Sequence, residues 1–183
     1  MATKKKDTTK KTKSKDGHKN RGMKWEKIVN DKLLEYREQG LCFIQKIPTE
    51  FTIIRAGAKV VSAFPKKQTE SVDFLGAKQF LPIAIEAKDT INKTSFPLKN
   101  IEPHQIKFLD EWCGKQGVGY YLIRFATLER IFLIDAIILN KEIHNRESKE
   151  TQDRGDKSLT LDWFEKNGIE IDKDMNFLEY IHR

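Results

Sequence analysis

The 183-residue chain carries 34 Lys and Arg against 27 Asp and Glu, a net charge of +7, with 38% hydrophobic residues. That is enough apolar material for one mid-sized domain and too little chain for two large ones. No run approaches the ~20 apolar residues of a membrane span and the N-terminus lacks an apolar signal core, so the sequence predicts a soluble protein with no obvious export signal.

The charge is unevenly spread. Residues 1 to 22 hold nine bases and two acids, which leaves 25 of each sign in residues 23 to 183. That leading segment also lacks Val, Ile, Leu and aromatics; it cannot bury enough surface to offset its ordering entropy and is expected to be a disordered basic tail. Two readings fit it: a solubilising leader, or an arm that binds a polyanion through counterion release.

Order is expected from Met23, as one domain to residue 183. Trp25, Ile28, Val29, Leu33 and Tyr36 recur at helical spacing up to Gly40. Leu41 to Lys46, Phe51 to Arg55 and Lys59 to Phe64 then read as strands, punctuated by Pro48, Gly57 and Pro65. Ser71 to Leu75, a turn at Gly76 and Ala77, and Gln79 to Lys88 predict a hairpin, with Pro82 pointing to an edge position or a bulge. A polar loop follows from Asp89 to Asn100. Glu102 to Lys115 reads as a second helix, with Pro103 in its first turn, Ile106, Leu109, Trp112 and Cys113 on one side and Gly117 beyond its end. Val118 to Phe125 and Arg130 to Ile134 are two further strands, Asn140 to Ser158 a polar surface loop, and Leu161 to Lys166 and Phe177 to Ile181 short helices. This order predicts an α/β (α+β) domain with a mixed central sheet flanked by helices. Cys42 and Cys113, the only cysteines, argue against a disulfide framework or a thiolate zinc site and read as reduced thiols in apolar positions.

The chemistry concentrates in Ile83 to Lys88, an apolar run that ends in a carboxylate and an amine. Alternation puts Glu86 and Lys88 on one face, and Asp73 lies between Val72 and Phe74 on the partner arm of the expected hairpin. If the arms pair, Asp73 and Glu86 converge; two such carboxylates repel unless a cation holds them, and oxygen donors favour Mg²⁺ or Mn²⁺ over zinc. Lys88 would then orient a water or stabilise charge developing on a phosphate. The pattern alone also fits an edge-strand ion pair, and a second Glu-x-Lys at Glu147 and Lys149, preceded by no apolar strand, reads as solvated charge.

Longer segments separate these readings. Asn20-Arg21-Gly22-Met23, Lys46-Ile47-Pro48-Thr49, Ser71-Val72-Asp73, Ile85-Glu86-Ala87-Lys88-Asp89-Thr90, and Asn92-Lys93-Thr94-Ser95-Phe96-Pro97-Leu98-Lys99-Asn100 with His104-Gln105 stand in order and spacing. In them the chain, from Asn20 to about Phe125, resembles the RecU-type Holliday-junction resolvases of Gram-positive bacteria and their phages, members of the PD-(D/E)xK nuclease superfamily. The resemblance implies Asp73 and Glu86 as ligands of a Mg²⁺ for which Mn²⁺ can substitute, the Ala87 carbonyl as a further ligand, and Lys88 as the catalytic lysine. It adds Glu26 as an extra acidic site residue, Ser71 as a hydroxyl near the metal, and Gln105 as a substrate-positioning group. It implies a β-hairpin stalk at about residues 51 to 70, with Arg55, Lys59, Lys66 and Lys67 as its basic residues and Lys93 and Lys99 as further DNA contacts. The stalk is shorter here than is usual in the family, and Pro65-Lys66-Lys67 replaces a Pro-Lys-Arg turn. The implied function is a cytoplasmic, homodimeric endonuclease acting on four-way junctions, with a recombinase or branch-migration partner. A nuclease of flaps, mismatches or duplex, or a non-catalytic junction-binding protein, are the competing readings.

Overall fold

The computed structural model describes residues 16–48, 51–65, 71–148 and 157–182. Helix α1 (Asp16–Glu38) leads into β1 (Phe43–Lys46), followed by the hairpin of β2 (Phe51–Ala56) and β3 (Lys59–Pro65). Then come β4 (Phe74–Lys78), β5 (Leu81–Thr90), the short β6 (Ser95–Pro97), α2 (Pro103–Cys113), β7 (Val118–Phe125) and β8 (Arg130–Asp135). Helix α3 (Ala136–Glu147), β9 (Ser158–Thr160), α4 (Leu161–Asn167), β10 (Ile169–Ile171) and a 3₁₀ turn at Leu178–Tyr180 complete the chain.

Among the described residues six strands form one sheet in the order β1-β4-β5-β7-β8-β10. Only β5 and β7 run parallel, and α2 is the crossover between them. One face of the sheet packs under α1 through Trp25, Val29, Leu33 and Tyr36 together with Phe177 and Leu178. The other packs under α2, α3 and α4 through Ile106, Leu109, Leu139, Ile143 and Phe164. Covered on both faces, β5 is a continuous apolar run through Ile83, Ala84 and Ile85, and any polar group further along it is desolvated. The mixed sheet with flanking helices is the architecture expected from the sequence. The hairpin β2–β3 stands apart as its own two-stranded sheet, with every residue of β2 exposed.

Three local expectations are corrected, and the edge position expected at Pro82 holds locally. Helix α1 begins at Asp16 rather than Met23. Once packing of Trp25 and Val29 has nucleated the helix, each upstream residue adds a backbone bond at little cost, and Arg21 is anchored by an ion pair to Asp89. The rest of the expected tail lies outside the described residues. Gly76 and Ala77 form no turn but lie within β4, paired with Ile83 and Pro82; the chain reverses at Gln79, which has a φ of 54°, and Phe80. Pro82 sits in a central strand, yet ahead of the first β5–β7 pair, Ile83↔Val118, so the missing N–H falls where β5 has a partner on one side only. Finally, residues 140 to 147 are helix rather than loop. Asn140 is buried because the Tyr121 hydroxyl donates to it at 2.8 Å and it donates to Asp110 at 2.8 Å and to the Ile106 carbonyl at 3.2 Å; polarity there marks a satisfied core position. Residues 149 to 156 of the expected loop are outside the described residues.

Gly76 is required for close approach. A Cβ there would lie 1.9 Å from the Phe43 carbonyl oxygen and 2.5 Å from the Ile44 Cα. Gly76→Ala is therefore expected to push β1 off the sheet edge and cost ~2 kcal/mol or more in a denaturant-unfolding measurement. Gly22, on α1 with nothing within 4 Å of a built Cβ, provides the control: Gly22→Ala is expected to stabilise the fold by up to ~1 kcal/mol through helix propensity.

Candidate active site

The last β4–β5 partner pair is Phe74↔Ile85. Asp73 leaves β4 at that point, opposite Glu86, and β5 continues with β7 on its other side as far as Thr90. The residues of β5 from Glu86 onward therefore have one edge free of β4, and Asp73 fills it. The Ala87 N–H donates to Asp73 Oδ2 at 3.0 Å, and the Asp73 N–H donates to Glu86 Oε2 at 3.2 Å. A strand residue presents its N–H and C=O to the same edge, so the Ala87 carbonyl also points to the Asp73 side.

Glu86 is 1% exposed and shares the α2 face with Lys88. Lys88 Nζ lies 2.9 Å from Glu86 Oε1, and the Gln105 amide donates to the same oxygen at 2.5 Å. Gln105 in turn accepts from the Glu102 N–H at 2.9 Å, in a reciprocal cap of α2. The start of the crossover helix is thus locked onto the carboxylate of the strand it leaves. Burial pushes the Asp73 carboxyl well above the usual range, reinforced by repulsion from Glu86 and Glu26 and only partly offset by Lys88. Burial also raises Glu86, against the pull of Lys88. Desolvation works to lower the Lys88 ammonium, but the attraction of Glu86 and Asp73 outweighs it and its pKa ends raised. The cluster holds two desolvated carboxylates and one cation, a charge deficit that a bound cation would relieve.

Among the described residues no three His, Cys, Asp or Glu side chains converge as a metal-holding group. Two carboxylates and one backbone carbonyl are nevertheless an all-oxygen donor set at one free strand edge, and that chemistry fits Mg²⁺ or Mn²⁺.

The other residues anticipated from sequence fall as follows. Glu26, on α1, pairs with Lys46 of β1 at 2.6 Å. Lys46 is the register partner of Phe74, and the adjacent Ile47 N–H donates to the Asp73 carbonyl at 2.8 Å, so Glu26 stands beside the cluster without a direct bond to it. The Ser71 hydroxyl donates to the Val72 carbonyl at 3.3 Å. Arg55 and Lys59 are exposed on the hairpin, and Lys93 and Lys99 are exposed between β5 and α2. Lys66 and Lys67 lie outside the described residues, as does Lys149; Glu147 ends α3 on the surface. Sequence reasoning gave Lys46 no role. Its pairing joins two elements twenty residues apart, and the only signal was its place in the Lys46-Ile47-Pro48-Thr49 segment.

The family described as recombination protein U, RecU, matches residues 20–183. Two relatives called Holliday junction resolvase RecU, from Streptococcus pneumoniae strains Hungary19A-6 and CGSP14, are each 34% identical over 158 residues, spanning 83% of this chain and 76% of their own length. Among solved structures, Hjc, a Holliday junction resolvase of Archaeoglobus fulgidus, covers 82% of this chain and 92% of its own at 10% identity and a TM-score of 0.46.

Proposed function

This chain belongs to the RecU family, and from that premise we propose that it is an endonuclease that resolves four-way DNA junctions by paired nicks, with Mg²⁺ held by Asp73, Glu86 and the Ala87 carbonyl. The observation that carries the reading is the convergence of Asp73, Glu86 and Lys88 in one desolvated group at the free edge of β5. A surface ion pair would not be buried there, since desolvating three charges costs more than an exposed pair returns.

When bound, the ion supplies Lewis-acid polarisation of the scissile phosphate and acidifies the attacking water. Asp73 and Glu86 hold it. Gln105 fixes the Glu86 rotamer by donating to Oε1. The Lys88 ammonium, kept protonated by its carboxylate neighbours, faces the phosphate, orients the water and stabilises the charge that builds on the non-bridging oxygens. Glu26 and Ser71 border this group, Glu26 as a further acid close to the water. Phosphates flanking the cut meet Lys93 and Lys99; the hairpin, with Arg55, Lys59, Lys66 and Lys67, enters the junction; and the lysine-rich segment ahead of α1 adds sequence-independent attraction.

A four-way junction has two-fold symmetry and must be cut on two opposed strands, so one site per chain calls for a C₂ homodimer. The work is cytoplasmic, beside a recombinase or branch-migration partner; among the described residues no helix is long and apolar enough to cross a membrane. The test is a side-by-side nicking assay on a mobile four-way junction and a linear duplex of matched sequence, with Mg²⁺ and with chelator. Symmetric nicks leaving 5′-phosphate and 3′-hydroxyl ends, confined to the junction and abolished by chelator, are expected. Equal nicking of the duplex would make this a general nuclease, and junction binding with no nicking a recombination accessory protein.

A further inference from the structure

One residue beyond Lys88, on the opposite face of β5, a second charged group lies under α1. The Asp89 side chain is 6% exposed, and its Oδ2 accepts from Arg21 Nε at 3.0 Å and lies 3.4 Å from Arg124 Nη2. Arg124 is the register partner of Asp89 on β7. Its guanidinium carbon sits 4.7 Å from the centre of the Trp25 ring, and Trp25 Nε1 donates to the Leu122 carbonyl at 3.2 Å. Through one carboxylate, the ends of β5 and β7 are therefore tied to the early turns of α1.

That tie bears on the nuclease site because Glu26 follows Trp25 directly. Along the rest of α1 the helix is held by Val29, Leu33 and Tyr36 against the sheet, with the Tyr36 hydroxyl donating to the Met175 carbonyl at 2.6 Å; these contacts lie beyond Glu26, and at the early turns an axial position and a rotation have still to be set. The ion pair of Arg21 with Asp89 is directional and sets both. A small slide or roll of α1 would carry Glu26 away from Lys46, which β1 holds as the register partner of Phe74, one residue before the Ile47 bond to the Asp73 carbonyl.

Resting on the reading of the site given above, we propose that Asp89 is a positioning residue for the nuclease reaction: together with Arg21 and Arg124 it sets the placement of the Glu26 carboxylate beside Asp73 and Glu86. Asp89 touches no reacting atom; it acts through α1.

Neutralising a buried carboxylate between two arginines also weakens the fold, so a double-mutant cycle is the decisive experiment. Single-turnover nicking of a saturating four-way junction is measured for the full-length wild type, Asp89→Asn, Glu26→Gln and the double variant, each below its own melting temperature, with junction affinity measured in parallel. Asp89→Asn is expected to slow nicking about ten-fold or more, the scale of a misplaced catalytic group, with affinity changed by no more than about two-fold. In the Glu26→Gln background the same change is expected to have no further effect. Asp89→Glu, which keeps the charge, is expected to recover part of the rate. Wild-type nicking by Asp89→Asn, or a loss that multiplies in full onto that of Glu26→Gln, overturns the proposal and leaves Asp89 a structural ion pair. Wild-type nicking by Glu26→Gln overturns it as well while leaving the roles of Asp73, Glu86 and Lys88 standing; those fail or survive on Glu86→Gln.

Discussion

Glu86→Gln is expected to leave the four-way junction bound and its strands intact. The substitution keeps the side chain's shape, but its single amide oxygen can accept from only one of the two donors that Glu86 now serves with separate oxygens, Gln105 on Oε1 and the Asp73 N–H on Oε2. The charge disappears as well. Half of the carboxylate complement for the ion is gone, and Lys88 loses its direct partner. Nicking is expected to fall ~10²-fold or more, the scale seen when preorganised charge stabilisation is removed, and the Mg²⁺ concentration for half-maximal rate to rise steeply. Junction affinity measured without divalent ion is expected to hold or to tighten, because one source of repulsion toward phosphate has gone. A divalent-ion titration of both binding and nicking on one junction checks this. Nicking at the wild-type rate with the same Mg²⁺ dependence would sink the assignment, since a carboxylate that can be neutralised without consequence is not holding the ion.

Lys88→Met is expected to be equally inactive for a different reason, and the ion separates the two variants. Methionine replaces the aliphatic stem of the lysine and removes only the ammonium. Asp73 and Glu86 then keep their mutual repulsion with no ammonium beside them, and each is already pushed upward by burial. Without divalent ion the variant is expected to be less stable than wild type. With Mg²⁺ it is expected to regain that stability and to bind the ion at least as tightly, since a competing cation has left the site. Turnover nevertheless stays lost, by ~3 kcal/mol or more in the nicking barrier. Calorimetric Mg²⁺ binding, weakened in Glu86→Gln and retained in Lys88→Met, distinguishes an ion-holding group from one that acts on the phosphate. A Lys88→Met variant that nicks normally would remove the lysine from the chemistry.

Within the site, strand periodicity alone put Glu86 and Lys88 on one face, because a period of two is a local property of extended backbone. The convergence of Asp73 with Glu86 also followed from the sequence, once the two segments were read as arms of one antiparallel pair. The position of the turn between them did not. Gly76 and Ala77 look like a reversal in sequence, but the glycine is there because β1 passes within contact of its Cα, and nothing local announces a strand from elsewhere in the chain. Asn140 is a similar case. Its polarity suggested a loop, whereas three partners brought by β7 and α2 made it a core residue.

By itself the sequence determined the elements whose patterning is local: the α1 stripe, the apolar β5 ending in Glu-Ala-Lys, the Pro-started α2, and the residues that carry the RecU resemblance. Only the tertiary structure decided which charges are desolvated and which are answered. Glu86 is buried because helices cover both faces of β5; Gln105 reaches it because α2 is the crossover from β5 to β7; Glu26 meets Lys46, and Arg21 meets Asp89, because α1 lies across the sheet ends. A charge's worth depends on the dielectric around it and the partners within a few ångströms, and both are set largely by residues from 13 to 97 positions away along the chain.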